Sequence, residues 1–394
     1  MNVAIFTDND FAKVNGVTTC LRAALRYAPD DIRPRIYTCA DLGEDGTDYF
    51  AAASIGTRIP YYGDMRMYLP RLGKLLKQVR ADRSEIIHYT TPGPVGLAAL
   101  FIAWQTGLPM IGSFHTDLAA YTEKLSGSPR LGGLMREYLR WSYGRCARIL
   151  VPSEDTRGLL VRSRIAAERI SLWTRGVDTH LFTPAKRSEA LRERWRVCDR
   201  RPAIIYVGRV SKEKGLERLP DIQSVLYRHG VEHRLVIVGD GPYRRDLQAR
   251  LPDAVFTGTL APANVAVALA SADLFLFPSD TDSAGNVVLE AQASGLPVIL
   301  SDAGGPKEYV RPDVSAMVCR AGDVASFGVG AAQVLRSAPR RRSMGAAARA
   351  HAETVGWEAA LAPLYRAYRD VAAEALATRS QSRPAAANPG GAAA

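Results

Sequence analysis

Cysteine is scarce and scattered: Cys20, Cys39, Cys146, Cys198 and Cys319 are far apart, and no C-x2-C pair occurs. An odd count without pair spacing excludes a disulfide framework or a thiolate zinc site, which leaves buried free thiols as the expected state. Long apolar runs are also missing. The longest, Val95–Trp104, falls well short of the roughly 20 residues that a bilayer span requires. The opening MNVAIFTDND reaches a carboxylate by Asp8, unlike a secretory leader, and reads instead as a first strand. The expected location is cytoplasmic, with the inner face of the cell membrane as a surface the protein can touch peripherally. Acidic residues are under-represented: 40 Asp and Glu face 51 Lys and Arg, a net charge of +11. That excess favours anionic partners. Without interleaved aromatics or a helix-turn-helix pattern, nucleic acid is not an expected partner.

Of 394 residues, 47% are hydrophobic and 23% charged, enough to build ordinary cores, and the length suggests two domains. Short apolar, β-rich runs alternate with helical patterns. A first set of strands is expected at Val3–Thr7, Arg35–Thr38, Ile86–Tyr89, Met110–Phe114, Ile149–Pro152 and Ile170–Trp173. A second follows at Ala203–Val207, Arg234–Val238, Val255–Thr257, Leu274–Pro278 and Val298–Ser301. Most of these runs lack apolar–polar alternation, as strands of a parallel sheet buried on both faces should. The expected class is therefore α/β, with two doubly wound domains and a cleft between them. The boundary is placed within Thr183–Arg201, a stretch with a proline near each end and a charged helix, Arg187–Arg196, between them. Domains of 1–185 and 186–356 follow, then a helix over 357–376 with apolar residues at Leu361, Leu364, Tyr365, Tyr368 and Val371. The Ser/Pro/Gly/Ala tail, 378–394, is expected to be disordered.

Chemistry concentrates in 278–308. A loop carboxylate, Asp282, precedes Gly285, Asn286 and Val287, and then a helix that carries Glu290 about one turn in. Amides at a helix start are unpaired donors, and the helix dipole favours an anion there. Glu290 would accept hydrogen bonds from hydroxyls beside that anion, and Asp282 would reach the ligand from the other side. The loop VGRVSKEKG, from Val207, places Arg209 and Lys214 between strand and helix, where the two cations could grip a diphosphate. In VIVGDGPYRR the third glycine of G-x-G-x-x-G is replaced by Arg244, so close backbone packing, not dinucleotide binding, is the reading. Gly16 opens a helix after the first strand; either a plain loop glycine or a phosphate-approach position fits it. His115, in SFHTD at a strand's carboxyl end, is open to either a core or a ligand role. Two D-x-D triplets, Asp8–Asp10 and Asp280–Asp282, are short and common by chance, and no metal is expected. From Met65 to Arg83, cations surround Leu72, Leu75, Leu76 and Val79. The spacing predicts a basic amphipathic helix, either resting on an anionic membrane surface or packed on the core.

Taken in order, NGV, SFHTD, LWTRGVD, GRVSKEKG, VGDGP, FTGTL and TDSAGNVVLEAQASGLPV resemble the retaining glycosyltransferases of family 4. Their architecture, GT-B, is two Rossmann-like domains facing across a cleft. The resemblance spans Val3 to about Leu376 and is strongest to glycolipid-forming members: sulfoquinovosyl-diacylglycerol synthases and GDP-mannose-dependent mannosyltransferases. It implies a hexosyltransferase that moves a sugar from a UDP- or GDP-linked donor to a hydroxyl acceptor, lipid or saccharide, with no metal or cofactor. Arg209 and Lys214 match the pair on the donor diphosphate, and Glu290 the carboxylate on the nucleotide ribose. His115 matches the histidine near the donor sugar, and Gly16 the N-terminal phosphate loop. Where the family carries the first Glu of Glu-x7-Glu, this chain has Asp282, one methylene shorter. A nucleotide-sugar epimerase of the same fold, a glycoside hydrolase and a non-catalytic membrane-binding module are the rival readings.

Overall fold

The protein is described from a computed structural model; the described residues are 1–11, 15–39, 48–51, 53–59 and 62–381. Strands β1 (Asn2–Phe6), β2 (Arg33–Thr38), β3 (Tyr49–Ala51), β6 (Ile86–Tyr89), β7 (Met110–Ser113), β8 (Arg148–Val151) and β9 (Ile170–Leu172) form one sheet. Its order is β3-β2-β1-β6-β7-β8-β9, with every neighbour parallel. A hairpin, β4 (Ala53–Ile59) with β5 (Tyr62–Pro70), stands apart. The second sheet holds β10 (Ala203–Val207), β11 (Arg234–Val238), β12 (Val255–Gly258), β13 (Leu274–Phe277), β14 (Val298–Ser301) and β15 (Ala316–Cys319). Its order is β12-β11-β10-β13-β14-β15, again all parallel. In each sheet the strand order reverses once, beside β1 in the first and beside β10 in the second. Ligand crevices in such sheets lie outside the carboxyl ends at those points.

The helices of the first half are α1 (Gly16–Arg26), α2 (Leu72–Ala81), α3 (Pro94–Thr106), α4 (Leu118–Ser126), α5 (Pro129–Tyr143) and α6 (Glu154–Arg162). Those of the second are α7 (Glu189–Trp195), α8 (Leu219–Arg228), α9 (Arg244–Arg250), α10 (Pro262–Ala270), α11 (Asn286–Ala293), α12 (Val324–Leu335), α13 (Ala338–Glu353) and α14 (Trp357–Gln381). Residues of α2, α3, α5 and α6 bury one face of the first sheet in a core with Phe6, Tyr37 and Ile149. The opposite face packs on α1 and on α14, whose Trp357, Leu361, Leu364 and Tyr368 meet Val3, Ile5 and Trp173. The final helix therefore returns to the first sheet. A third core fills the second half around β10, β11, β13 and β14.

Several expectations need correcting. The single helix over Met65–Arg83 does not form: Tyr62–Pro70 is strand β5, paired with β4, and the helix is only Leu72–Ala81. Pro70 is the physical reason, because proline restricts the residue before it to extended backbone and cannot donate within a helix. Leu75 and Val79 face the core. Strands β3, β4, β5 and β15 were not expected. The charged helix contracts to Glu189–Trp195, with Arg192 and Trp195 buried. The last helix runs on to Gln381, into the stretch assigned to the tail, and 382–394 lie outside the described residues. Four cysteines are buried, but Cys198 is exposed.

At Gly239, φ is +131°, and a Cβ would sit 1.9 Å from the Gly208 carbonyl oxygen. The VGDGP turn thus packs backbone against backbone on the GRV turn, with the Val210 amide donating to the Asp240 carbonyl at 2.9 Å. Gly239→Ala should lower unfolding free energy by more than the roughly 1–3 kcal/mol of a strained φ alone. Gly322→Ala, also at positive φ but with open space around it, should cost less; urea unfolding of both variants checks the order.

Candidate functional site

Two loops from the carboxyl ends of β10 and β13 meet above the second sheet. Thr281 Oγ1 donates to the Glu213 carbonyl at 3.0 Å. Gly215, at φ +72°, lies so close beneath that a Cβ would stand 2.3 Å from the Pro278 carbonyl oxygen. The contact brings Lys214 Nζ to 2.6 Å from Asp282 Oδ1, with both side chains mostly buried. Asp282 Oδ2 is buried with no hydrogen-bond partner among the described residues. Burial alone would push the Lys214 ammonium down, but Asp282 reverses this and holds its pKa above the usual lysine value. Arg209 is half-buried beside them, and its carbonyl accepts the Tyr206 hydroxyl at 3.0 Å.

Directly after the Asp282 loop, α11 begins at Gly285, in the left-handed conformation (φ +71°), with no side chain capping it. The Val288 amide turns back to the Gly285 carbonyl at 2.9 Å, while those of Asn286 and Val287 have no acceptor among the described residues. One turn in, the half-buried Glu290 carboxyl has no side-chain partner among the described residues, and desolvation lifts it to about 7. Across the cleft, α1 starts at Gly16. Asn15 already accepts from the Val17 and Thr18 amides at 2.9 and 3.0 Å, so α1 offers fewer open donors than α11. Asn286 Nδ2 donates to the Gly16 carbonyl at 3.2 Å, and the two helix starts face each other.

His115 reaches the same seam through its carbonyl, which accepts the Ser283 hydroxyl. Its ring lies inside the protein: Nδ1 is 3.0 Å from Arg175 Nη2 and Nε2 is 2.8 Å from Ser113 Oγ. Burial first, then Arg175 and His88, hold its pKa well below the ordinary histidine value. Neither ring nitrogen is available to a ligand in this arrangement. Arg175, Ser113 and Ser283 were not singled out from sequence; Arg175 carried a signal, a cation in LWTRGVD just past β9. Tyr121 of α4 is another: its phenol feels Lys214, Asp282, Glu213 and Arg209.

The first carboxylate of each D-x-D triplet is otherwise engaged. Asp8 accepts from the Thr91 hydroxyl at 2.7 Å and from the Gly93, Val95 and Gly96 amides at 3.0, 2.8 and 3.2 Å, capping α3. Asp280 pairs with Arg218 at 2.6 Å and accepts from Ser301 at 2.6 Å. Among the described residues no cluster of three metal-type ligands occurs.

Paired doubly wound sheets facing across a cleft are the GT-B architecture. Residues 14–181 match Glycosyltransferase Family 4, and residues 187–351 match Glycosyl transferases group 1. A GDP-mannose-dependent alpha-mannosyltransferase of Corynebacterium glutamicum is 32% identical over 95% of this chain and 90% of its own length. The corresponding protein of Mycolicibacterium smegmatis is 35% identical over 89% and 92%. Sulfoquinovosyl transferase SQD2 of Arabidopsis thaliana is 31% identical over 91% and 71%. Anabaena Alr3699/HepE, solved with UDP-glucose, shares the fold at TM-score 0.73 and 18% identity, covering 97% of this chain and all of that one. The chain belongs to glycosyltransferase family 4 and is a hexosyltransferase.

Glu290 carries a testable linkage. Its folded pKa of about 7 lies above the ordinary 4.5, so below pH 4.5 the neutral carboxyl costs nothing, and the favourable contribution is lost as pH rises through 7. Glu290→Gln should therefore raise the melting temperature of the ligand-free protein at pH 8 and leave it nearly unchanged at pH 4. Equal shifts at both values would contradict the desolvation account.

Proposed function

We propose that the protein is a retaining mannosyltransferase that takes its sugar from GDP-mannose and delivers it to a lipid acceptor at an anionic membrane face. The observation that carries the donor site is the convergence of Arg209, Lys214 and the uncapped start of α11. In this reading residues 186–356 hold the donor. The diphosphate lies against Arg209, Lys214 and the Gly285–Val287 amides, the ribose hydroxyls donate to Glu290, and a sugar hydroxyl donates to the unpaired Asp282 Oδ2. Residues 1–185, with the helix over 357–376, hold the acceptor, and Gly16 and His115 line the wall opposite the donor. The relatives named for GDP-mannose support that donor over UDP-sugars.

The reaction breaks the bond between the anomeric carbon and the phosphate oxygen through an oxocarbenium-like state. Cations and helix-start amides stabilise the charge gathering on the leaving diphosphate. The acceptor oxygen attacks from the face the leaving group vacates, and its proton passes to the departing phosphate oxygen. Asp282, tied to Lys214, is not free to act as a nucleophile.

Support for the membrane comes from the outer face of the first half. The helix α3 has no charged residue and is apolar on every side, a pattern that belongs to buried or membrane-contacting helices. Yet Leu97, Phe101 and Trp104, spaced along one face, are exposed, Trp104 by 77%. Helices of the same half are cationic, with exposed Arg71, Lys74, Lys77 and Arg80 on and beside α2 and Arg130, Arg136 and Arg145 on and beside α5. An exposed aromatic strip on a half that also carries basic helices suits the headgroup region of an anionic bilayer. No helix among the described residues is long and apolar enough to cross a membrane.

Arg209→Ala and Lys214→Ala should each cut turnover about 10²–10³-fold, the cost of one lost charge stabiliser; near-normal rates in both would remove the diphosphate clamp. Trp104→Ala should weaken binding to phosphatidylglycerol vesicles about tenfold, the equivalent of unburying one large apolar side chain. Unchanged sedimentation, or binding insensitive to salt, would point to a soluble acceptor.

A further inference from the structure

A chain of buried polar groups runs from the cleft to the last helix. Arg175, only 4% exposed, has no carboxylate within ion-pairing distance among the described residues; its Nη2 donates to His115 Nδ1 at 3.0 Å. His115 Nε2 lies 2.8 Å from Ser113 Oγ, which lies 2.9 Å from His88 Nε2. His88 Nδ1 in turn lies 2.7 Å from the hydroxyl of Tyr368 on α14. Both imidazoles, Ser113 and Tyr368 are buried. At the other end, the His115 carbonyl receives the Ser283 hydroxyl from the loop that carries Asp282.

The proton arrangement at one end is dictated by chemistry. A guanidinium can only donate. His115 Nδ1 must therefore present its lone pair, and a proton there would face a cation at hydrogen-bond distance. The ring is neutral, with its proton on Nε2, given to Ser113. The charged or titratable groups acting on the ring, Arg175 and His88, both oppose a positive charge on it.

We propose that Arg175, Ser113, His88 and Tyr368 are positioning residues that clamp His115 as a fixed, neutral Nε2–H tautomer. His115 then serves neither as acid nor as base. Its carbonyl is a rigid anchor for Ser283 and so for the Asp282 loop, and the docking of α14 sets the geometry of the donor site. The inference rests on the donor-site reading above, because only there does the position of the Asp282 loop matter to the reaction.

The test uses the full chain in three arms. Long-range proton–nitrogen NMR at pH 7 should show His115 as the Nε2–H tautomer; an Nδ1–H or protonated ring would overturn the proposal. Tyr368→Phe, which removes one hydroxyl from a ring that keeps its packing, should lower kcat about fivefold to tenfold, the equivalent of one hydrogen bond. Donor KM should change less than twofold in that variant. Arg175→Met should shift the His115 nitrogen resonances and lower kcat, with Arg175→Lys restoring part of both. Wild-type kcat in Tyr368→Phe and unchanged nitrogen resonances in Arg175→Met would refute the clamp. If Arg209→Ala and Lys214→Ala abolish turnover in that case, the donor site stands and only the clamp falls.

Discussion

The ion pair between Lys214 and Asp282 is the contact on which the site's arrangement depends. A lysine ammonium removed from water needs an anion, and in the ligand-free protein Asp282 supplies it. The pair leaves Asp282 Oδ2 unsatisfied and sits beside open helix-start amides and Arg209. The amides lack an acceptor and Oδ2 lacks a donor among the described residues, two needs that a doubly charged diphosphate and a sugar hydroxyl would meet. A glutamate at position 282 would carry its charge one methylene further from the backbone. The shorter aspartate instead holds the loop down on Lys214, with Gly215 and Thr281 closing the backbone gap. The pKa of Glu290 is raised for a different reason: burial takes its carboxyl away from water, and hydroxyl donors would restore what it lost.

Around that centre polar contacts join the two halves. The Glu308 carboxylate accepts from the Glu154 and Asp155 amides at 2.7 and 2.8 Å, so a residue of the second half caps α6 of the first, where the helix dipole favours a negative charge. Ser153 Oγ donates to the Ser283 carbonyl at 3.0 Å, and the Tyr309 hydroxyl donates to the Pro152 carbonyl. Polar seams of this kind can open and reclose at modest cost, as a transferase that must admit a nucleotide sugar and release a nucleotide requires.

Much of this was legible in the sequence, for identifiable reasons. Parallel strands buried on both faces leave uninterrupted apolar runs, and four of them, such as Ile86–Tyr89, have the expected bounds. The candidate donor-site residues were visible because they follow strands directly, so local order alone puts Arg209, Lys214 and Asp282 on one edge of a sheet. The β4–β5 hairpin was hidden by cations whose spacing also fits a helix, and the signal that decides it, Pro70, is a single residue. β15 is four residues long and lies next to charged turns. The chain through Arg175, His115, Ser113, His88 and Tyr368 could not be read at all, since it joins β6, β7, the end of β9 and α14. Only the folded sheet brings those positions within 3 Å of one another.

The central claim is that Lys214 and the start of α11 form the seat of a nucleotide diphosphate. A crystal structure of the protein with GDP tests it most directly. The account predicts β-phosphate oxygens within hydrogen-bond distance of Lys214 Nζ and of the Asn286 and Val287 amides, with Glu290 against the ribose. GDP bound elsewhere, with those amides still facing empty space, would contradict it.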